Sequence, residues 1–85
     1  MKLKKGIVVQ KMGKTHVAYD NETSTLHELN EVGYFILDLV EKGKSDRQIL
    51  TEIMKNYEIS RNQAVEDLKT FLDVLRIKDI IVGGK

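Results

Sequence analysis

Two histidines and a group of carboxylates are the side chains best suited to metal or acid–base chemistry. His16 and His27 lie on predicted strands, and neither has further ligands at the short spacing of a zinc site. We interpret both as half-exposed residues of a sheet. Glu66, Asp67 and Asp73 fall on an amphipathic helix, where carboxylates commonly occupy the solvent-facing side. Neither group predicts catalysis.

The sequence also lacks the other features on which most enzyme classes depend. It contains no cysteine, which excludes disulfides, thiolate zinc sites and the usual thiolate ligation of iron–sulfur clusters. Neither a glycine-rich phosphate loop nor a nucleophile motif is present, and the Gly83-Gly84 pair is isolated. We therefore predict a protein that is not an enzyme and that uses no cofactor or metal.

Length and charge narrow the class of protein further. A chain of 85 residues makes one domain, which we assign to residues 1–85. Charged residues are abundant but leave a formal net charge of only +1, which favours neither nucleic acid nor an anionic membrane as partner. Because there is no signal peptide and no apolar run near the ~20 residues of a membrane span, we expect a cytoplasmic protein without a membrane partner.

Runs of β-branched residues predict a three-stranded antiparallel meander over about residues 6–29. The predicted strands cover residues 7–10, 15–19 and about 23–29. Residues 11–14, which include Gly13, predict a four-residue or bulged hairpin loop. Residues 20–22 predict the second turn, because Asp and Asn side chains bond their own backbone.

Three helices are predicted next, over about residues 30–79. The apolar period changes from two to 3.6 at Asn30, which supplies an acceptor for the first free N–H groups. Ser45 and Ser60 each precede a glutamine in the capping-box pattern, and Gly43 is placed to end the first helix. The predicted apolar faces are Val32, Phe35, Ile36, Leu39 and Val40; Ile49, Leu50, Ile53 and Met54; and Ala64, Val65, Leu68, Phe71, Leu72 and Leu75.

Three further features complete the predicted fold. Gly33 costs a helix about 1 kcal/mol relative to alanine, so we expect it to pack closely against a neighbouring backbone. Residues 80–85 predict either a short added strand or a terminal tail. The lysines of the first fourteen residues are interpreted as a solubilising strand edge. The predicted class is α+β, similar to a winged helix-turn-helix.

That layout makes DNA binding the alternative hypothesis. A DNA-reading helix carries several basic residues on its exposed face, where they meet phosphates. The last helix and its exit combine Arg61, Lys69, Arg76 and Lys78 with Glu66, Asp67 and Asp73. Because this balance is nearly neutral, the sequence disfavours a nucleic-acid partner.

The order and spacing of several short motifs resemble the PqqD-like family. The stretch Leu29-Asn30-Glu31-x-Gly33-x-x-Ile36 is similar to the Leu-Asn-x-x-Gly-x-x-Ile motif of that family. Counterparts at similar spacing follow as Gly43-x-Ser45, Ile49 to Ile53, and Tyr57-x-Ile59-x-x-x-x-Ala64-x-x-Asp67-Leu68-x-x-Phe71-Leu72-x-x-Leu75. The resemblance runs from about His16 to Ile81. The chain departs from the family at Leu37, where an aromatic is common, and at Ile77 or Lys78, where glycine is frequent.

This resemblance implies a recognition element for ribosomally synthesised and post-translationally modified peptides (a RiPP recognition element). Such a domain is a peptide chaperone of natural product biosynthesis. It captures the leader segment of a precursor peptide and delivers it to a modifying enzyme, such as a radical enzyme, a protease or a cyclase. The leader adds as a strand to the third strand and lies against the third helix.

The predicted fold permits this mode of binding on physical grounds. A three-stranded meander leaves open edges, and an open edge is a template for an extended peptide. The predicted peptide-binding residues are Thr25, Leu26, His27, Glu28 and Leu29 on the third strand, and Val65, Lys69, Leu72 and Arg76 on one flank of the third helix. On that flank, the apolar pair would hold apolar leader residues and the cations would meet leader carboxylates.

A third hypothesis is that the chain is a subunit that assists an enzyme, and that the enzyme carries out the chemistry.

Overall fold

The computed structural model describes residues 1–83, and within them the chain forms five short strands and three helices. In chain order these are β1 (Lys2–Leu3), β2 (Ile7–Met12), β3 (Thr15–Asp20), β4 (Thr25–Leu29), α1 (Glu31–Glu41), α2 (Asp46–Tyr57), α3 (Arg61–Ile77) and β5 (Ile81–Val82). The sheet order is β2-β3-β4, and β1 pairs with β5 in a separate two-stranded sheet. The predicted α+β class, a three-stranded antiparallel sheet followed by three helices, is confirmed.

The first hairpin turns in two residues, whereas the sequence predicted a four-residue or bulged loop. Met12 pairs directly with Thr15, so Gly13 and the following lysine form the turn. Gly13 has a φ of +63°, and a positive φ at the first turn position is the pattern of a type II′ turn. Beyond the far end of this ladder, the N–H of Asn21 donates to the C=O of Gly6 at 2.9 Å. The two strands therefore stay in phase, without a bulge, over their whole length.

Asp20 organises the second turn from a position where it is only 3% exposed. Its Oδ1 accepts hydrogen bonds from the N–H groups of Glu22 at 2.9 Å and Thr23 at 3.2 Å, as predicted for an Asx turn. Its Oδ2 accepts a hydrogen bond from Nζ of Lys4 at 3.1 Å. Ser24, with a φ of +57°, completes the turn, and β4 therefore begins later than predicted.

Lys4 joins three parts of the chain and does not serve as the solubilising edge residue that the sequence suggested. Its Nζ lies 3.1 Å from the Asp20 carboxylate and 3.3 Å from that of Asp79. Its backbone N–H donates to the C=O of Ile80 at 2.9 Å. Lys4 thereby links the amino-terminal strand to both the meander and the exit of α3.

The end of the chain adopts the added-strand alternative over the part that the structure describes. Ile81–Val82 pairs antiparallel with Lys2–Leu3, a strand that the sequence did not predict. Asp79 takes the left-handed conformation that ends α3, with a φ of +63°, and the N–H of Ile80 then donates back to the helix. Gly84 and Lys85, which belong to the predicted tail and domain, lie outside the described residues.

Both predicted ends of α1 are confirmed. Oδ1 of Asn30 accepts a hydrogen bond from the N–H of Gly33 at 2.7 Å, which caps the first turn. Gly43 has a φ of +80°, and the carbonyls of Val40 and Leu39 each accept a 3.0 Å hydrogen bond from the residues that follow the helix. This pair of bonds is the Schellman motif, for which glycine is the favoured residue.

Of the two predicted capping boxes, one is complete. Ser45 and Gln48 bond each other reciprocally at the start of α2, with each side chain accepting from the other residue's N–H. At the start of α3, Ser60 accepts from the N–H of Gln63 at 3.2 Å, but the Gln63 side chain donates instead to Asp67 at 2.8 Å. The second box is therefore a single N-cap, and the predicted reciprocal bond is wrong.

α1 buries more of its surface than the predicted apolar face. Leu37 lies outside that face yet is 0% exposed, whereas Val32 lies within it and is 38% exposed. The reason is that α1 packs against all four strands β1–β4 and also against α2. A helix enclosed between two layers is buried on more than one stripe.

Gly33 is the point at which α1 approaches α3. A Cβ atom built on Gly33 would lie only 2.6 Å from Cζ of Phe71 and 3.1 Å from Oδ1 of Asn30. The close neighbour is therefore a side chain of another helix, and not a backbone as predicted. This contact accounts for a glycine in the first turn of a helix.

Replacing Gly33 by alanine is expected to destabilise the protein, although alanine is the better helix former. The added methyl group must displace the Phe71 ring, and such overpacking costs about 1–3 kcal/mol against a helix-propensity gain of about 1 kcal/mol. We expect urea denaturation to show a net loss of up to about 2 kcal/mol in the free energy of unfolding. In a Phe71→Leu background the same substitution should become neutral or stabilising. Equal losses of unfolding free energy in both backgrounds would show that the Phe71 ring is not what excludes a side chain at Gly33.

A second prediction concerns pH and Asp20. Burial alone would raise the pKa of its carboxyl, but the hydrogen bonds from Lys4 and from two backbone N–H groups outweigh burial and hold the pKa below its ordinary value of 3.8. The stabilisation is therefore present above pH 3.8 and is lost as the pH falls through the lower folded-state pKa. We expect Asp20→Asn to have a lower Tm at neutral pH and a flatter Tm profile between about pH 5 and about pH 2.

Asp73→Asn serves as the control, since Asp73 is exposed and lies away from the turn. Thermal unfolding followed by circular dichroism across this pH range makes the measurement. Parallel Tm profiles for Asp20→Asn and the unsubstituted protein would show that the Asp20 carboxylate does not contribute to acid sensitivity.

Candidate functional site

β4 forms one edge of the three-stranded sheet. It pairs with β3 on one side, and within residues 1–83 no strand pairs with its other side. An unpaired edge presents a row of N–H and C=O groups that can bond an extended chain.

The register determines which of these groups point outwards. Thr15 lies next to the two-residue turn, so its N–H and C=O both bond its partner on β2. Every second residue of β3 after Thr15 also bonds β2 through both groups. The residues between them bond β4, and among them Ala18 pairs with His27. His27 therefore directs its N–H and C=O towards β3. Those of Leu26 and Glu28 point to the open side, a distinction that the sequence alone did not resolve.

The side chains of β4 alternate between the two faces of the sheet. His27 and Leu29 are half-buried and face the helices, whereas Leu26 is 58% exposed and Glu28 is exposed on the outer face. Thr25 is exposed at the start of the strand. The open backbone groups thus lie directly beside half-buried side chains.

A cleft of about 170 Å³ separates β4 from α3. Phe71, Val74 and Lys78 are its walls on the helix side, and His27 and Leu29 are among its walls on the strand side. Val74 is 39% exposed and so offers apolar surface to a ligand. The cleft therefore combines an apolar wall, a lysine and an open strand edge.

A second apolar cavity, of about 380 Å³, lies next to this cleft. Asn30 and Phe71 line both spaces, so the two are adjacent. Tyr57 also lines the second cavity, and its ring packs edge to face on Phe35 with centroids 5.7 Å apart. The apolar cavity therefore lies close to the cleft beside β4.

The four α3 residues predicted from the sequence lie on the other flank of the helix. Val65, Lys69, Leu72 and Arg76 line a groove of about 420 Å³ between α2 and α3. Val65 is 45% exposed there, whereas Leu72 is only 4% exposed and belongs to the core. The structure does not bring these four residues together with β4, and their role in peptide binding stays a prediction.

Sequence periodicity could not decide between the two flanks of α3. Both border the same buried arc, whose members include Ala64, Leu68 and Leu75. Phe71, Val74 and Lys78 were therefore not predicted as site residues. The signal that could have found them is Gly33, since a glycine inside a helix indicates a close approach and its neighbour here is Phe71.

The two histidines lie in surroundings that are typical of structural residues. His16 stacks on Tyr34 with ring centroids 4.3 Å apart, and His27 lines the cleft. Among residues 1–83, His, Asp and Glu side chains nowhere form a group of three or more that could hold a metal ion. Across the same residues, every helix is too short or too polar to span a bilayer.

Comparisons with known proteins fit this geometry. A family model described as coenzyme PQQ synthesis protein D (PqqD) matches residues 15–81. The solved structure of TbiB1 in complex with the TbiA(beta) leader peptide has a TM-score of 0.90 and 29% identity, covering 100% of this chain and 99% of that one. A lasso peptide synthetase B1 complexed with the leader peptide has a TM-score of 0.85 and 20% identity over 96% of each chain, a likeness of fold. No protein in the curated set matches significantly. None of these findings supports the DNA-binding alternative.

Proposed function

The chain belongs to the PqqD family, and we propose that it binds the leader segment of a ribosomally synthesised precursor peptide and delivers it to a modifying enzyme. The observation that carries this proposal is the open edge of β4 beside a cleft with an apolar wall, in a fold shared with the leader-bound TbiB1. The leader adds to β4 as a further strand and lies against α3.

Backbone hydrogen bonds supply the part of the affinity that does not depend on leader sequence. Leu26 and Glu28 each present one N–H and one C=O, so a leader strand in register can form two bonds at each residue. A hydrogen bond of this kind contributes a net ~0.5–1.5 kcal/mol. These bonds also align the leader chain along the cleft.

Side chains of the cleft supply selectivity. Alternate residues of an added strand point towards the same side, so every second leader residue faces the α3 wall. Phe71 and Val74 favour apolar leader residues, and Lys78 at the same wall favours a carboxylate. We therefore expect the leader to carry apolar residues at alternate positions, with an acidic residue close to them.

The chain acts in this proposal as a binding partner, and the chemistry belongs to another protein. Membership of the PqqD family and the likeness to a leader-bound protein support this division of roles. The partner would be a radical enzyme, a protease or a cyclase, and we expect the two to meet in the cytoplasm, where the precursor is made.

Proline substitutions on β4 test strand addition. Leu26→Pro removes an outward N–H and blocks the approaching strand, and proline is tolerated at an edge where the N–H faces solvent. We expect leader affinity to fall by about tenfold or more, equivalent to at least ~1.4 kcal/mol, with the fold retained. His27→Pro removes a bond to Ala18 and should instead destabilise the sheet. Fluorescence anisotropy with a labelled leader, together with circular dichroism, makes the comparison.

Lys11→Pro is the matched control, because the N–H of Lys11 points outwards from the opposite edge, on β2. Its leader affinity should equal that of the unsubstituted protein. Unchanged binding by a folded Leu26→Pro variant would reject strand addition on β4. No saturable binding by the unsubstituted protein would reject leader recognition itself.

Two exposed valines on α3 test which flank meets the leader. Val74 lies in the cleft beside β4 and is 39% exposed, and Val65 lies on the other flank and is 45% exposed. We expect Val74→Glu to weaken leader binding about tenfold, because a carboxylate in an apolar contact is costly, and Val65→Glu to leave it within about twofold. The reverse result in the same titration would assign the leader to the flank predicted from the sequence.

A further inference from the structure

The groove between α2 and α3 has an apolar floor and a cationic rim. Its floor includes the buried side chains of Leu50, Leu68 and Leu72, with Val65 exposed beside them. The charged residues of the rim are Arg47, Arg61, Lys69 and Arg76, together with Asp46 and Asp73. Four cations and two carboxylates leave this groove with a charge of +2, although the whole chain carries only +1.

Among residues 1–83, ion pairs leave three of the four rim cations without a carboxylate partner. Arg76 pairs with Asp73 at 3.3 Å. By contrast, Arg47, Arg61 and Lys69 form no ion pair with any carboxylate among residues 1–83. All three are exposed. The rim therefore offers three cationic groups to an external ligand.

Two of these cations stand where a helix disfavours them. Arg47 lies in the first turn of α2, and Arg61 is the first residue of α3, whose first turn contains no acidic residue. A cation at the positive end of a helix dipole is unfavourable, and both dipoles add to the positive potential at this end of the groove. Asp46 offsets this effect in the first turn of α2, whereas no carboxylate offsets Arg61 in the first turn of α3. The start of α3 is therefore suited to an anionic partner.

We propose that this groove docks an acidic segment of the modifying enzyme, anchored by an apolar side chain on the floor near Val65. The proposal rests on the proposed function, in which the chain holds a leader for that enzyme. Carboxylates of the segment would meet Arg47, Arg61 and Lys69. The cationic rim would speed association at low salt, and the apolar floor would slow dissociation.

The position of the groove favours the enzyme over the leader as its occupant. Groove and cleft lie on opposite flanks of α3, and a helix with its side chains is about 10–12 Å across. A leader paired along β4 leaves the groove open, so both partners can be bound together. Delivery of the precursor requires such simultaneous binding.

The charge of the groove also disfavours a second copy of this chain. A symmetric dimer places the same patch of both copies face to face. Two grooves of charge +2 would then oppose each other, which is unfavourable. A partner with the opposite charge avoids this repulsion.

The test uses the purified modifying enzyme encoded beside this chain, with the chain first saturated by the leader of the neighbouring precursor. We expect the double variant Arg61→Glu/Lys69→Glu to bind the enzyme at least about tenfold more weakly while its leader affinity stays within about twofold. The salt dependence of enzyme binding should fall in the same variant. Val65→Glu should also weaken enzyme binding. Isothermal titration calorimetry measures both affinities, and circular dichroism verifies the fold.

Lys5→Glu/Lys11→Glu is the matched control, since it changes the net charge equally at two exposed lysines outside the groove and away from β4. Enzyme affinity equal in the two double variants would overturn the proposal. A matching loss of leader affinity in Arg61→Glu/Lys69→Glu would also overturn it and assign the groove to the leader. So would a dimer in sedimentation velocity that this variant abolishes. If the unsubstituted chain binds the enzyme through the groove but no leader, the proposed function fails and the groove assignment stands.

Discussion

The close approach of Gly33 to Phe71 is the contact at which β4, α1 and α3 come together. A Cβ at Gly33 would lie 2.6 Å from the Phe71 ring, so any larger residue at this position requires the ring to move. Asn30 caps α1 through the N–H of the same glycine, directly after β4 ends. The end of the strand, the start of one helix and the middle of another therefore meet at one place. Phe71 also lines the cleft beside β4, so this contact lies at the wall of the cleft.

Features that depend on neighbouring residues could be predicted from the sequence. The N-cap at Asn30 and the glycine end at Gly43 need only a few consecutive residues, and both are as predicted. Contacts between distant residues could not be derived in this way. The ion pair of Lys4 with Asp20 and the burial of Leu37 both follow from how layers pack, and neither leaves a periodic signal in the sequence.

For the candidate site, the sequence predicted β4 as the peptide-binding strand. It could not show which N–H and C=O groups of this strand point outwards. Their direction depends on the length of the first hairpin turn, for which the prediction was a longer or bulged loop. A shift of one residue in a strand exchanges the groups that face the neighbour with those that face solvent. With Met12 paired to Thr15, Leu26 and Glu28 face outwards and His27 does not. The outward groups of β4 thus depend on the turn between β2 and β3 together with the pairing of β3 and β4.

The two flanks of α3 would allow so small a domain to serve the two partners proposed above. A chain of 85 residues has a thin core and little room for a deep cavity, so binding falls to its surfaces. The buried arc of α3, which includes Leu68 and Leu75, supports the cleft beside β4 on one side and the cationic groove on the other. A substitution in the arc would disturb both surfaces at once, whereas Val74 and Val65 each belong to only one. Capture and delivery would therefore share a single rigid helix and still be separable by mutation.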